Sequence, residues 1–492
     1  MRRFIFGLAA LLTGLFAGPA LAAKSDLVMG MVLEPPHLDP TAGAAAAIDE
    51  VVYANVFEGL TRIDRDGVVR PALAESWQVS DDGLTYSFTL RAGVKFHDGT
   101  DLEASDVVFS LDRARAEDSV NAQKALFEPI AEVAAKDDST VVVTLKRPTG
   151  HFLFNLGWGD AVIVAPESAE GNKAKPVGTG PFTFQRWVQG DRVELARNPG
   201  YWGTAASLEK ATFKFIPDPA AAVAAMLAGD ADAFANFPAP ESLGQFEADP
   251  RFKVVIGSTE GETILSINNG KKPFDDVRVR RAIAHALDRK AIVDGAMFGY
   301  GTPIGSHFAP HHPAYIDQTG RYAHDIDKAK SLLAEAGLGE GFKATIKLPP
   351  PTYARRGGEI IAAQLAKAGI ELEIIPVEWA QWLEQVFRGK DYDLTIVSHT
   401  EPMDIGIYAR EDYYFDYQSE AFRGTMAKLN EAVAEEERYR LMAEAQKQIT
   451  EDSVNGFLFQ LAKHGVWNAK LEGLWHNSPV QANDLTEVRW SE

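Results

Sequence analysis

Cysteine is absent from all 492 residues. That excludes disulfides, thiolate-bound zinc, iron–sulfur clusters and thiol nucleophiles. It also excludes a lipid-anchored N-terminus, which needs a Cys just after a leader. A basic excess is missing as well: 49 Lys+Arg stand against 69 Asp+Glu, for a formal charge of −20. Such a surface repels nucleic acid and anionic membrane, so neither is expected as a partner. Beyond the N-terminus no stretch approaches about eighteen uninterrupted apolar residues, the length of a membrane span. Gly and Pro are unbiased, and no low-complexity linker interrupts the chain.

The N-terminus is the one strongly apolar stretch. Arg2 and Arg3 precede an apolar run from Phe4 to Leu21, and Ala20-Leu21-Ala22 offers a small-x-small cleavage site. That pattern is a secretory leader over residues 1–23. Removing Arg2 and Arg3 takes Lys+Arg from 49 to 47 against 69 acids, so the exported chain carries −22. The expectation is a periplasmic chain without a lipid anchor. The length exceeds one ordinary domain, so two or three lobes with ample core are expected.

Local patterns set the organisation. Leu27 to Leu33 reads as a strand that runs into the loop Glu34-Pro35-Pro36-His37, and Ile48 to Leu60 has helical spacing. Thr85 to Leu90 alternates as a strand. Ala104 to Ala116 reads as a helix with Ser105 as N-cap. Val133 to Leu145 reads as a hairpin turning at Asp137-Asp138-Ser139. Residues 61–175 therefore form a small α+β unit. From Thr212 strands and helices alternate. Thr212 to Ile216, Lys253 to Ile256, Ile264 to Asn268, Ala344 to Leu348, Ile370 to Pro376 and Leu394 to Val397 read as strands. Val277 to Phe298, Asp327 to Ala336, Glu359 to Ala368, Ala380 to Phe387 and Phe422 to Thr450 read as helices. Gly456 to Leu461 runs back as a strand. This alternation predicts an open α/β sheet. The arginines of Val277 to Phe298 read as a solvated helix face.

No His-Glu-x-x-His, Gly-x-Ser-x-Gly or phosphate-loop pattern occurs, and the spacing of Gly299, Gly301 and Gly305 is not that of a dinucleotide loop. Nothing points to a cofactor or to catalysis. An extracytoplasmic hydrolase remains the alternative from another class, and a chemoreceptor partner or peptide chaperone is a third. His307, His311 and His312 form a His-x-x-x-His-His run able to ligate a metal, but Pro310 and Pro313 interrupt it and no metal site is expected.

Ordered blocks then carry a resemblance. They are Pro71-Ala72-Leu73-Ala74-Glu75-Ser76-Trp77, Gly93-Val94-Lys95-Phe96-His97-Asp98-Gly99-Thr100, Gly178-Thr179-Gly180-Pro181-Phe182, Arg197-Asn198-Pro199-Gly200-Tyr201-Trp202, and Phe274-Asp275-Asp276-Val277-Arg278. In this order they resemble the peptide/nickel/opine class of substrate-binding proteins of ABC importers. The resemblance implies a two-lobed periplasmic binding-protein fold (type II, large peptide-binding class) with an α+β subdomain inserted in the first lobe. It places lobe I at 24–60, 176–268 and 461–492, the insert at 61–175, and lobe II at 269–460. It implies a monomer that closes on a small polar solute (short peptide, opine or related zwitterion) and docks on ABC permease subunits. Nickel chelates and sugar conjugates are alternatives within the same class.

Three segments are suited to hold such a ligand. Ser398 to Arg410 follows a strand's C-terminal end, where open α/β sheets bind ligands. In peptide binders this loop carries an aspartate for the peptide's amine. Ser398 stands near that position here, with His399, Glu401, Asp404 and Tyr408 further along. The resemblance places an aromatic at Trp379, and Trp382 lies one helical turn on. The third segment offers Tyr353, Arg355 and Arg356, the arginines as clamps for a carboxylate or phosphate. From the first lobe Glu34, His37 and Trp158 are added. The carboxylates and the two arginines would make opposite poles.

Overall fold

The computed structural model describes residues 24–43, 45–401, 404–432 and 434–491. The expected leader lies outside them. Two long antiparallel strands, Phe252–Ile267 and Asn455–Asn468, run through the middle of one eleven-stranded sheet. Their register runs from Phe252↔Asn468 to Ser266↔Asn455, with a shift between Ser258 and Glu262.

The sheet continues outward from this pair in both directions. On one side come Ala233–Phe234, Asp26–Met31, Lys210–Phe215, Arg192–Arg197 and Phe182–Val188. Asp26–Met31 and Lys210–Phe215 are parallel, while the Arg192–Arg197 strand turns antiparallel. On the other side lie Leu394–His399, Phe342–Leu348 and Ile370–Pro376. The last two pair in parallel and are joined by the helix Thr352–Ala368, the usual crossover for parallel strands. Each half has its own core. Met29, Ile48, Phe57, Phe182 and Phe213 pack in the first, Ile267, Ile283, Ile346, Ile361 and Ile396 in the second.

A separate four-stranded sheet, in the order Ala74–Val79, Thr85–Leu90, Thr140–Leu145, Ile130–Asp137, lies within 61–175. The helix Ala104–Arg115 packs on it through Val107 and Leu111.

Several expected elements differ in detail. Lys253 to Ile256 and Ile264 to Asn268 are one strand, because the polar residues between them stay paired to Asn455–Asn468 through a bulge. The helical pattern of Val277 to Phe298 is two helices, Val277–Ala286 and Arg289–Ala296. Asp288 separates them and caps the second through Ala291 N. Phe422 to Thr450 is likewise split, into Glu420–Glu431 and Glu435–Glu451. Ile48 to Leu60 supplies only the short helix Ala46–Val52. The N-cap of Ala104–Arg115 is Glu103, which forms a capping box with Asp106, and not Ser105.

The arginine-rich helix is not a plain solvated face. Arg280 and Arg289 are buried. Arg280 donates to the carbonyls of Phe274 and Asp452, and Arg289 to that of Phe457. Buried guanidinium is tolerated there because backbone acceptors replace water.

Candidate functional site

The shift in Phe252–Ile267 places carboxylates where the two halves of the sheet meet. Glu262 sits opposite His399 in the next strand. Beyond His399 the turn Asp404–Ala409 brings Asp404 back toward both. The segment after Thr302–Pro303 brings in His307. Nε2 of His307 lies 2.5 Å from Oδ1 of Asp404, and Nδ1 of His399 lies 3.7 Å from Oδ2. Glu260 holds Nε2 of His311 at 2.5 Å. Glu262 is 2 % exposed and His307 is fully buried. Oε2 of Glu262 and Nδ1 of His307 have no hydrogen-bond partner, nor has the hydroxyl of Ser398.

The chemistry of this cluster follows from what is missing. Nε2 of His307 is committed to Asp404, which leaves Nδ1 without a partner. Oε2 of Glu262 and Nδ1 of His307 are thus each buried without a partner. Unpaired buried acceptors are costly, and a donor or a cation relieves them. Burial raises the Glu262 carboxyl well above the usual carboxylate range, and the charges of Asp404, Glu260 and Glu401 add to the effect. Burial lowers His399, against the opposing pull of Asp404 and Glu401. Glu262, His307 and Asp404 each offer one ligand atom within 4.8 Å of the others, as do His399, Glu401 and Asp404. Either set could also hold a metal ion.

The facing wall belongs to the first half and the small sheet. Nε2 of Gln481 donates to Oγ1 of Thr400 at 3.4 Å. Asp49 and Asp160 stand beside Trp158. Oδ1 of both acids and Nε1 of Trp158 are buried without partners. Burial lifts Asp160 to about 7. Burial lifts Asp49 too, reinforced by Asp160 and Glu50. At the edge of the small sheet, a Cβ on Gly150 would fall 2.1 Å from the carbonyl oxygen of Ala432. The two walls touch there.

The expected site residues divide. Asp404 and His399 join the cluster, and Glu401 lies exposed at its rim. Tyr408 is buried beneath it, edge-on to His307 at 5.2 Å between ring centroids. Trp379 is 41 % exposed, with its ring edge-on to Trp382. Trp382 itself is core: it is 4 % exposed and its indole donates to Thr395 at 2.9 Å. Tyr353, Arg355 and Arg356 lie in the first turns of Thr352–Ala368, which begins seven residues earlier than expected. Tyr353 accepts from the amide of Ser398 at 3.3 Å. Arg355 donates to Glu378 and to the Val377 carbonyl, and Arg356 lies 4.7 Å over Phe298. Nε of Arg355 remains buried without a partner. Glu34 accepts from Trp187 and Gly190, and His37 from the amide of Asp39, so neither joins the cluster. The three histidines diverge: His307 meets Asp404, His311 meets Glu260, and His312 stacks on Phe308.

Sequence reasoning missed Glu262, Asp49 and Asp160. A carboxylate next to the apolar run Ile264 to Ile267 was the available signal for Glu262.

Two half-sheets sharing a central strand pair, a small inserted sheet and a polar cluster at the junction define a two-lobed binding-protein fold. The profile of bacterial extracellular solute-binding proteins, family 5 (middle), matches residues 68–417. The dipeptide-binding protein of Escherichia coli (strain K12) is 34% identical over 358 residues, 65% of this chain and 66% of that protein. The glutathione-binding protein GsiB of Salmonella choleraesuis is 34% identical over 383 residues, 76% of this chain and 74% of that one. The solved periplasmic binding protein DppA of Helicobacter pylori, in complex with the peptide STSA, superposes with a TM-score of 0.83 at 27% identity. That match covers 96% of this chain and 99% of DppA. This chain belongs to the family-5 bacterial extracellular solute-binding proteins. Its relatives are binding proteins, and no helix among the described residues is long and apolar enough to cross a membrane.

Proposed function

We propose that this chain is the non-catalytic, periplasmic capture component of an ABC importer for a small solute that carries an ammonium group. The solute is of peptide or opine type. The lobes divide near residues 268 and 461, and the leader at 1–23 is removed on export. The chain works as a monomer and hands its ligand to permease subunits. One observation supports the reading above the rest: the buried, unpartnered Oε2 of Glu262 in the cluster it forms with His307 and Asp404. An ammonium group donates three hydrogen bonds and supplies the missing positive charge. Glu401 and Asp404 extend the same negative pole. The strand pair Phe252–Ile267 and Asn455–Asn468 acts as the hinge, and ligand shifts the lobes toward the closed state.

Native mass spectrometry of the protein from its own periplasm weighs the retained solute. Calorimetry with trialanine and N-acetyltrialanine tests the pole directly. Trialanine should bind, the acetylated form should not, and Glu262→Gln should weaken trialanine tenfold or more. An uncharged retained solute, or equal binding of both probes, overturns the reading. A divalent-cation chelate is the second reading, favoured by the three ligand atoms of Glu262, His307 and Asp404. Metal analysis of the same preparation separates the two.

A further inference from the structure

We infer that Arg438, on the helix Glu435–Glu451, is an anion-binding residue that receives the carboxylate of the bound solute where the inserted sheet meets the second lobe. The site is distinct from the acidic cluster, and its place as the second pole of the ligand rests on the function proposed above.

The geometry of the contact is specific. A Cβ on Gly150 would lie 2.7 Å from Cδ and 2.9 Å from Nε of Arg438, so the guanidinium arm lies directly on the insert's backbone. Nε of Arg438 is buried and has no hydrogen-bond partner. Among the described residues Arg438 makes no ion pair. Its surroundings explain why this matters. From the insert, Tyr86, His151 and Arg147 are close enough for electrostatic coupling to this junction. From the second lobe His312 is coupled to Arg438 as well. None of these groups is an acid. Arg147 is neutralised by Glu128 at 3.3 Å. The one carboxylate acting on Arg438 is Glu435, which accepts instead from Tyr439 and stays outside ion-pair range.

A guanidinium half removed from water without an anion is costly, because its desolvation is not offset. Closure of the lobes creates that situation at Arg438. Burial lowers His151 and His312 to about 4, so neutral imidazoles, not extra charge, flank the arginine. With Nε covered by Gly150, a carboxylate entering between the lobes would accept from the outer Nη groups and offset the charge. Of the arginines expected from the sequence, Arg355 pairs with Glu378 although its Nε is unpartnered, and Arg356 lies on Phe298. The row His307, Phe308 and His312, with ring centroids 5.8 and 4.6 Å apart, links the acidic cluster to the Arg438 neighbourhood. The two poles therefore lie along one segment, and the ligand is an elongated zwitterion.

Propionate is the probe, because it carries a carboxylate and no ammonium. Thermal unfolding is followed against propionate and against propanol at matched ionic strength. Propionate should raise Tm saturably in the wild type and propanol should not. Arg438→Gln should abolish the propionate effect, and Arg438→Lys should retain part of it, which keeps the test readable if the Gln variant does not fold. No stabilisation of the wild type by propionate, or equal stabilisation of either Arg438 variant and the wild type, overturns the assignment. The trialanine and N-acetyltrialanine comparison is read independently. Its failure with the propionate effect intact removes the ammonium pole alone, and the converse removes Arg438 alone.

Discussion

Glu262 and His399 are cross-strand partners, so the buried carboxylate and the strand that feeds the Glu401–Asp404 loop share one register. A one-residue slip would turn Glu262 to the opposite face of the sheet. The bulge before Glu262 fixes that register. It also puts the carboxylate in an environment that favours its protonated form.

Replacing Glu262 by Gln should therefore have opposite effects on the free and the bound protein. The apo form should melt higher at pH 8, because an acid raised by burial costs stability above its ordinary range and an amide does not. Affinity for trialanine should fall tenfold or more, since about 1.4 kcal/mol corresponds to a factor of ten. Scanning calorimetry and titration calorimetry on the same variant check both signs.

Asp160 predicts a pH dependence. Its carboxyl is held up at about 7 by burial, well above the ordinary aspartate range. As pH rises the unfolded chain loses this proton first, and the folded chain keeps it until about 7. Stability is thus lost progressively between about pH 4 and 7, and no more is lost above the folded value. His151, His312 and His464, lowered by burial to about 4, act in the opposite direction up to 6.5. Lys463, lowered by burial to about 8, opposes it largely above that value. The acid is therefore isolated by comparison: chemical denaturation of wild type and Asp160→Asn should show the wild type losing stability relative to the variant from about pH 4 to 7, with the difference level above that.

Gly150 should act as a gate for closure. A Val side chain there collides with the Ala432 carbonyl. Gly150→Val should leave the folded lobes intact and hold them apart. Small-angle scattering should show the radius shrinking with trialanine in the wild type and not in the variant. Affinity should fall at least tenfold.

The two neighbouring tryptophans should separate stability from binding. Trp382→Ala should cost about 3–5 kcal/mol of folding stability, as for a buried aromatic. Trp379→Ala should leave stability nearly unchanged. Its loss should weaken ligand by about 0.5–1.5 kcal/mol, the worth of an aromatic contact beyond area burial. Urea unfolding and calorimetry distinguish the two.

Much of the scaffold was legible because its signals are local. The alternation of Thr85 to Leu90, the turn at Asp137-Asp138-Ser139 and the stop at Gly337 each arise from nearest neighbours. The break at Asp288 was not legible, because both flanking helices present apolar residues to the same core and the stripe continues through it. Asp404 and His399 were found because they follow a strand's C-terminal end. Glu262 was hidden, since a carboxylate beside a bulge reads as the end of a strand. Arg438 was hidden among the charges of Glu435–Glu451, where the sequence offers no sign that a glycine from another sheet would rest on it. The contacts of Arg355 with Glu378 and of Arg356 with Phe298 were not legible either, because they are tertiary.

The strand pair that crosses the molecule behaves as a leaf spring. A two-stranded ribbon resists stretching along its strands, because every residue is tied to the partner, yet it twists readily. The bulge between Ser258 and Glu262 removes paired residues at the middle of that ribbon and softens it there. In the closure proposed above, torsion would thus be centred next to the residue that carries the buried carboxylate. Substitution of Ser258 by a bulkier residue would retune how easily the spring winds, and so alter ligand residence time, without touching any group that the proposed site presents to the ligand.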